Sequence, residues 1–264
     1  MTKPLPPITP KQQAILKLIY RYRFLNRIQI QTLLNHKDKR RIISWLKDLR
    51  DKQYVDWHYN GTDFIAKSQP GIYYLSLNGI RYLRSRDIHP SEELRKRYKE
   101  PTRTQVFIER CLLITDCCIA LQAKSNHELK YGCVLPADYV DPNNAYNFLN
   151  DLKPHLCFLK QDDDQTTGYL LEVLDLLMPR YAIKKRIKDY VEYLASGDWQ
   201  DKTGYTDPPI VLIACPTVAD LLYVKRRVRK LLDEEWSDEE LQIRVTTLDK
   251  VRASGVTSTI WEEI

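Results

Sequence analysis

The sequence predicts a two-domain α+β / α/β protein, with a helical module that contains a hairpin at residues 1–89, a basic connector at 90–102 and a mixed α/β domain at 103–264. Three observations predict it. Apolar residues recur at helical spacing in three short runs before residue 53, and two strand-like runs then flank the dipeptide Asn60-Gly61. From residue 103 onward, strand-like runs alternate with amphipathic helices, as in a sheet covered by helices. Charge divides at the same place. Residues 1–100 carry 21 Lys+Arg against 9 Asp+Glu, a net +12, whereas residues 101–264 carry 20 against 26, a net −6.

The first module reads element by element. In TPKQQAILKLIYRYR, Thr9 is the expected N-cap, Pro10 takes the first helical position, and Ile15, Leu16, Leu18 and Ile19 form an apolar stripe. NRIQIQTLL follows as a short helix capped by Asn26, with Ile28, Ile30, Leu33 and Leu34 as its apolar residues. NHKDKR breaks the pattern, and KDKRRIISWLKDLRDKQ makes a third helix with Ile42, Ile43, Leu46 and Leu49 facing inward. YVDWHYN and GIYYLS are the two strands of the hairpin, and IRYLRSR closes the module as a helix. Three helices, a hairpin and a helix are the layout of a winged helix-turn-helix.

That layout assigns candidate DNA-binding residues. A helix laid in the major groove reads base edges with its amino-terminal side chains, and Arg or Lys matches the acceptors of guanine. The outward face of the third helix carries Lys39, Arg40, Ser44 and Lys47, with His36 and Lys37 in the turn before it. On the hairpin and beyond, His58, Lys67, Arg81 and Arg84 are expected to hold phosphates. The same fold can instead dock a protein partner, with these residues merely solvated. The local excess of positive charge favours DNA. The connector HPSEELRKRYKEPTRT adds Arg95, Lys96, Arg97 and Lys99, either on phosphates or in solvent.

The second domain starts with a long, mostly apolar helix, TQVFIERCLLITDCCIALQAK. LKYGCVLP, LKPHLCFLK and TGYLLEVLDL are strands, with the acidic turn at Asp162-Asp163-Asp164 between the last two. MPRYAIKKRIKDYVEYLAS is a helix, PPIVLIACP a buried strand, TVADLLYVKRRVRKLLDEE a helix, and LQIRVTTLDKV the closing strand. The order α-β-β-β-α-β-α-β implies one sheet with helices on its faces.

Several stretches carry a family resemblance: Phe24-Leu25 and Gln29, WLKDLRDKQYV, GIYYLSLNGIRYL, and KPHLCFLK…GYLLEVLD…RIKDYVEYLASGDWQ…PPIVLIACP. Across most of its length the chain resembles the replication-relaxation family of plasmids and other mobile elements. The resemblance implies a winged helix followed by a restriction-endonuclease-like αβββαβ domain. It also implies a PD-(D/E)xK position, where an aspartate, a glutamate and a lysine two residues later would hold Mg²⁺ and orient a water. Here Pro154 is followed by His155 in place of aspartate, the glutamate is Glu172, and Leu174 stands where lysine would be needed. An imidazole and one carboxylate make a poor magnesium site, so the domain is expected to be inactive. A rearranged nuclease would need Glu172 with Asp175, Asp151 or Glu109, and a base such as Lys184, Lys185 or Arg186. Otherwise Glu172 is a structural carboxylate paired with Arg186 or Lys185, and His155 a strand-end histidine.

Other chemistries find less support. The six cysteines lack CxxC spacing and sit mainly in apolar runs, which reads as buried reduced thiols and not zinc. No Gly-rich phosphate loop and no G-x-S-x-G elbow occurs. No apolar run approaches the roughly 20 residues of a membrane span, and MTKPLPPITP lacks an apolar signal segment, so a cytoplasmic location is expected. The resulting expectation is a non-enzymatic protein that binds double-stranded DNA, works as a homodimer without a cofactor, and meets replication, transfer or transposition proteins. Mg²⁺ enters only under the nuclease alternative.

Overall fold

The computed structural model describes residues 4–59, 68–86, 90–162, 165–235 and 241–264. The chain is mixed α/β and divides into two compact units, Met1–Ile119 with Val140–Asn144, and Ala120–Tyr139 with Ala145–Ile264.

The first unit begins with α1, Pro10–Tyr22, closed at its start by a capping box in which the Thr9 hydroxyl accepts from Gln12 N and the Gln12 side chain accepts from Thr9 N. Gln12 also donates to Asp48 at 2.6 Å, which ties α1 to α3, Lys39–Asp51. Ile15, Leu16 and Ile19 are fully buried. The helix ends at Arg23, whose φ of 72° and ψ of −53° accompany a Phe24 N–H to Tyr22 C=O bond of 2.9 Å. This is a γ-turn with positive φ, a rare and strained conformation for a residue with a side chain. It turns the chain into β1, Leu25–Asn26, and Asn26 then caps α2, Arg27–Leu33, through a second reciprocal pair with Gln29.

β2, Val55–His58, pairs antiparallel with β3, Ile72–Leu75, which also pairs antiparallel with β1, so the sheet order is β1-β3-β2. The two-residue strand β1 has no sequence signature and was not anticipated. α4, Leu77–Ser85, leaves the sheet at Gly79, where a Cβ would stand 2.2 Å from the Tyr54 carbonyl oxygen. Only a glycine permits that approach. One sequence expectation fails here. Ile43 is 45% exposed and does not join Ile42, Leu46 and Leu49 in the core, and Ile28, an apolar residue of α2, is 52% exposed. Both lie a quarter-turn or more off the buried stripe of their helices, where polar neighbours and solvent surround them.

The segment read as a connector is structured. α5, Ser91–Lys96, runs into a 3-10 turn, Arg97–Thr102, in which Leu94, Arg97 and Glu100 are buried. Arg23 grips Glu100 Oε1 through two guanidinium nitrogens at 2.9 and 2.7 Å, and Arg97 reaches it at 3.5 Å while donating to the Tyr20 carbonyl. Arg97 is therefore an internal ion-pair member, contrary to the surface role read from the sequence. α6, Gln105–Lys124, follows, and its Phe107 and Ile108 pack with Phe24 and Tyr74.

The second unit holds a six-stranded sheet ordered β4-β5-β6-β7-β8-β9. β4, Leu129–Val134, β5, Leu156–Asp162, and β6, Gln165–Val173, form an antiparallel meander, and β7, Ile210–Cys215, and β8, Ile243–Thr247, continue in parallel. The helix α7, Pro136–Tyr139, follows β4; α8, Arg180–Ser196, α9, Asp198–Thr203, and α10, Val218–Glu235, lie between later strands. Period-2 alternation sorts the strands. Cys157, Leu170, Val211, Ile213, Ile243 and Val245 join Ile183, Ile187, Val224 and Val228 in one core. β8 does not close the chain as expected: α11, Leu248–Ser254, and β9, Glu262–Glu263, follow it, and β9 pairs antiparallel with β8. Four cysteines are buried, Cys111 and Cys133 partly so, and none of the six forms a disulfide. Among the described residues, no helix is long and apolar enough to cross a membrane.

Candidate nucleic-acid interface

The outward face of α3 is assembled by its cap. Asp38 Oδ1 accepts from Arg40 N at 2.8 Å and Arg41 N at 3.3 Å, which satisfies two orphan donors and sets the helix start. Gln31 reaches from α2 to the carbonyls of His36 and Lys37, so the turn between α2 and α3 is pinned from behind. His36 lies edge-on to Trp45, with ring centroids 5.1 Å apart. Beyond this frame Lys37, Lys39, Arg40, Arg41, Ser44 and Lys47 are exposed. Arg40, Ser44 and Lys47 recur at i, i+4 and i+7, opposite Ile42, Leu46 and Leu49. The acids of the segment are engaged elsewhere or sit at the far end. Asp38 holds the cap, Asp48 accepts from Lys52 at 2.8 Å and from Gln12, and exposed Asp51 ends the helix. The Lys52 bond holds the Asp48 carboxyl below its ordinary pKa.

Other residues named from the sequence fall in different settings. Arg84 is exposed, and Arg81 is half-buried with Nη1 3.3 Å from Asn78, which in turn donates to the Lys52 carbonyl. His58 is half-buried, its ring 4.8 Å from Tyr74 and 6.0 Å from Phe24. It packs the hairpin base where a phosphate contact was expected. Lys67 and the turn Asn60-Gly61 lie outside the described residues, as do Asp163 and Asp164. Two groups were missed. Arg41 extends the cationic face, and Arg50 lies 3.8 Å above the Trp57 ring, which stacks on Tyr59. KRR at 39–41 and the aromatics of YVDWHY were the available signals.

In the second unit the candidate nuclease position has different chemistry. Glu172 is 2% exposed, on the helix-covered face of β6. Its Oε2 accepts from Arg186 Nη2 and from Tyr190 Oη, both at 2.8 Å. His155 Nδ1 accepts from Val173 N at 3.1 Å and stands 3.5 Å from Glu172 Oε1. Burial alone would raise the carboxyl's pKa, but His155, Arg186 and the two hydrogen bonds hold it below its ordinary value. Asp175 Oδ1 accepts from Leu177 N, Lys185 is exposed, and Glu109, in the first unit, is exposed and bonded to Gln105. Among the described residues, no three His, Cys, Asp or Glu side chains are grouped to hold a metal. A carboxylate oxygen already saturated by a guanidinium and a phenol, with an imidazole acceptor beside it, does not fit Mg²⁺, which wants several free oxygens. Leu174 is buried in the core and supplies no base.

The family description "replication-relaxation" matches residues 16–208. No curated protein and no solved structure matches the chain.

Proposed function

The chain belongs to the replication-relaxation family, and from that premise we propose that it is a non-enzymatic, sequence-specific binder of double-stranded DNA serving replication, transfer or transcription on a plasmid or mobile element. The first unit acts as a winged helix-turn-helix. The order α1-β1-α2-α3-β2-β3 and the three-stranded sheet support that reading. The observation that carries the function is the face of α3, where Lys39, Arg40, Arg41 and Lys47 stand exposed around Ser44. Arg40 and Ser44 read base edges, while Lys39 and Lys47 neutralise phosphates. Lys37 precedes them in the turn before α3, and Arg50 follows them near its end.

The second unit is a restriction-endonuclease-like domain that has lost its chemistry and needs no cofactor. The filled hydrogen-bond shell of Glu172 supports this. Its task is assembly of a homodimer in the cytoplasm, since one recognition helix reads few base pairs and paired half-sites multiply affinity. Leu177, Tyr181, Val218 and Leu222 are 76%, 77%, 63% and 52% exposed at the starts of α8 and α10, which the Arg180–Asp220 pair holds together at 3.0 Å. Exposed apolar side chains grouped in this way mark an interaction face.

The test begins with duplex fragments selected from a random pool. Lys39→Ala plus Arg40→Ala is expected to weaken binding and flatten the salt dependence by about 0.9 in log K per log salt for each lost phosphate contact. Unchanged affinity and slope would remove α3 from the interface and favour a protein-docking role. Cleavage of supercoiled DNA with Mg²⁺, lost in Glu172→Ala, would restore the nuclease reading.

A further inference from the structure

The sheet of the second unit has a second face, opposite α8 and α10, and it carries a cleft of about 380 Å³. Alternation places Phe158 and Lys160 of β5, Tyr169 of β6 and Arg244 of β8 on that face, with Tyr131 of β4 at one side and Trp261 at the other. Phe158 and Tyr169 are stacked, with centroids 4.6 Å apart and planes inclined by 6°. Trp261 is fixed by its indole N–H, which donates to the Val256 carbonyl at 2.8 Å. Two cations and no carboxylate line the cleft among the described residues. Their partners stand outside the lining: Asp162 on Lys160 and Glu263 on Arg244, both at 2.9 Å, with side chains 51% and 76% exposed. Pairs of that kind contribute little and exchange readily for another anion.

Aromatic side chains beside cations whose paired carboxylates stand outside the lining, at a volume within the range of ligand pockets, suit a flat ring joined to an anion. We infer that this cleft binds an unpaired nucleotide of single-stranded DNA, with its base against Tyr131 and its flanking phosphates on Lys160 and Arg244, one on each. The inference stands apart from duplex recognition by α3. It gives the second unit a ligand of its own, such as the strand exposed when a duplex opens.

The test is fluorescence anisotropy of a labelled twelve-residue oligodeoxythymidine with the full chain. Lys160→Ala plus Arg244→Ala is expected to weaken binding by roughly tenfold or more, and Tyr131→Leu by a similar factor through lost stacking. Lys39→Ala plus Arg40→Ala should leave that binding intact while reducing duplex binding, so the two readings can fail separately. Thermal melting checks that each variant folds, and Tyr131→Leu carries the test if the double variant does not. Oligonucleotide affinity unaltered by the cleft variants, or lost only with the α3 variant, would overturn the inference. Equally tight binding of thymidine monophosphate would overturn the strand as occupant in favour of a free nucleotide.

Discussion

Arg186 meets Glu172 at 2.8 Å on the same oxygen that Tyr190 holds, and the guanidinium also donates to the carbonyls of Leu152 and Lys153. One α8 side chain thus joins β6 to the loop before β5. Removing one member leaves the other buried and uncompensated. Glu172→Ala is expected to destabilise the second unit by about 3–5 kcal/mol, measured by urea unfolding. A loss below 1 kcal/mol would show that the cluster is not a structural clamp.

The same carboxyl sets a pH dependence. Its folded-state pKa is held below the ordinary 4.5, so its contribution is complete above that value and is lost as pH falls through the lower, folded one. The difference in Tm between wild type and Glu172→Gln should stay level from neutrality down to about pH 5 and shrink below about pH 4. A difference that holds constant to pH 3 would assign the stability to packing and not to charge.

Asp38 separates folding from the DNA binding proposed for α3. Asp38→Ala removes the acceptor for Arg40 N and Arg41 N and should cost about 1 kcal/mol. Asp38→Asn keeps an acceptor and deletes a negative charge beside the cationic face. It should retain stability and bind duplex DNA as tightly as wild type or more so, in the same anisotropy assay. Weaker binding by the Asn variant would mean that the carboxylate itself takes part in recognition.

Arg23 stores strain at the end of α1, compensated by its bonds to Glu100 and by the Phe107 ring 4.4 Å away. Arg23→Gly and Arg23→Ala both lose those contacts, but only glycine takes a φ of 72° at no cost. The Ala variant should be the less stable of the two by about 1 kcal/mol. Equal stabilities would mean that the backbone relaxes freely once the side chain is gone.

Much of this was legible in local chemistry. Thr9, Pro10 and Asn26 announce helix starts because a cap is a contact between residues three apart. The Glu172–Arg186 pairing could be named because a strand and its following helix must pack. What escaped was non-local. The two residues of β1 become a strand only when β3 lies beside them, Ile43 looks apolar until the core is seen to close without it, and Arg97 looks like a surface cation until Glu100 and Tyr20 enclose it.

By itself the chain's sequence determined the main helices and strands of each half, the helix caps, the division of charge, and that His155 follows Pro154 while Leu174 stands two residues after Glu172, because each is a matter of residue type at short spacing. Tertiary structure alone decided that Arg186 and Tyr190 fill the Glu172 oxygen, that His58 packs inward, and that Lys160, Tyr169 and Arg244 from three strands share one cleft. The physical reason is that neighbours across a sheet are about 5 Å apart however far apart they lie in the chain.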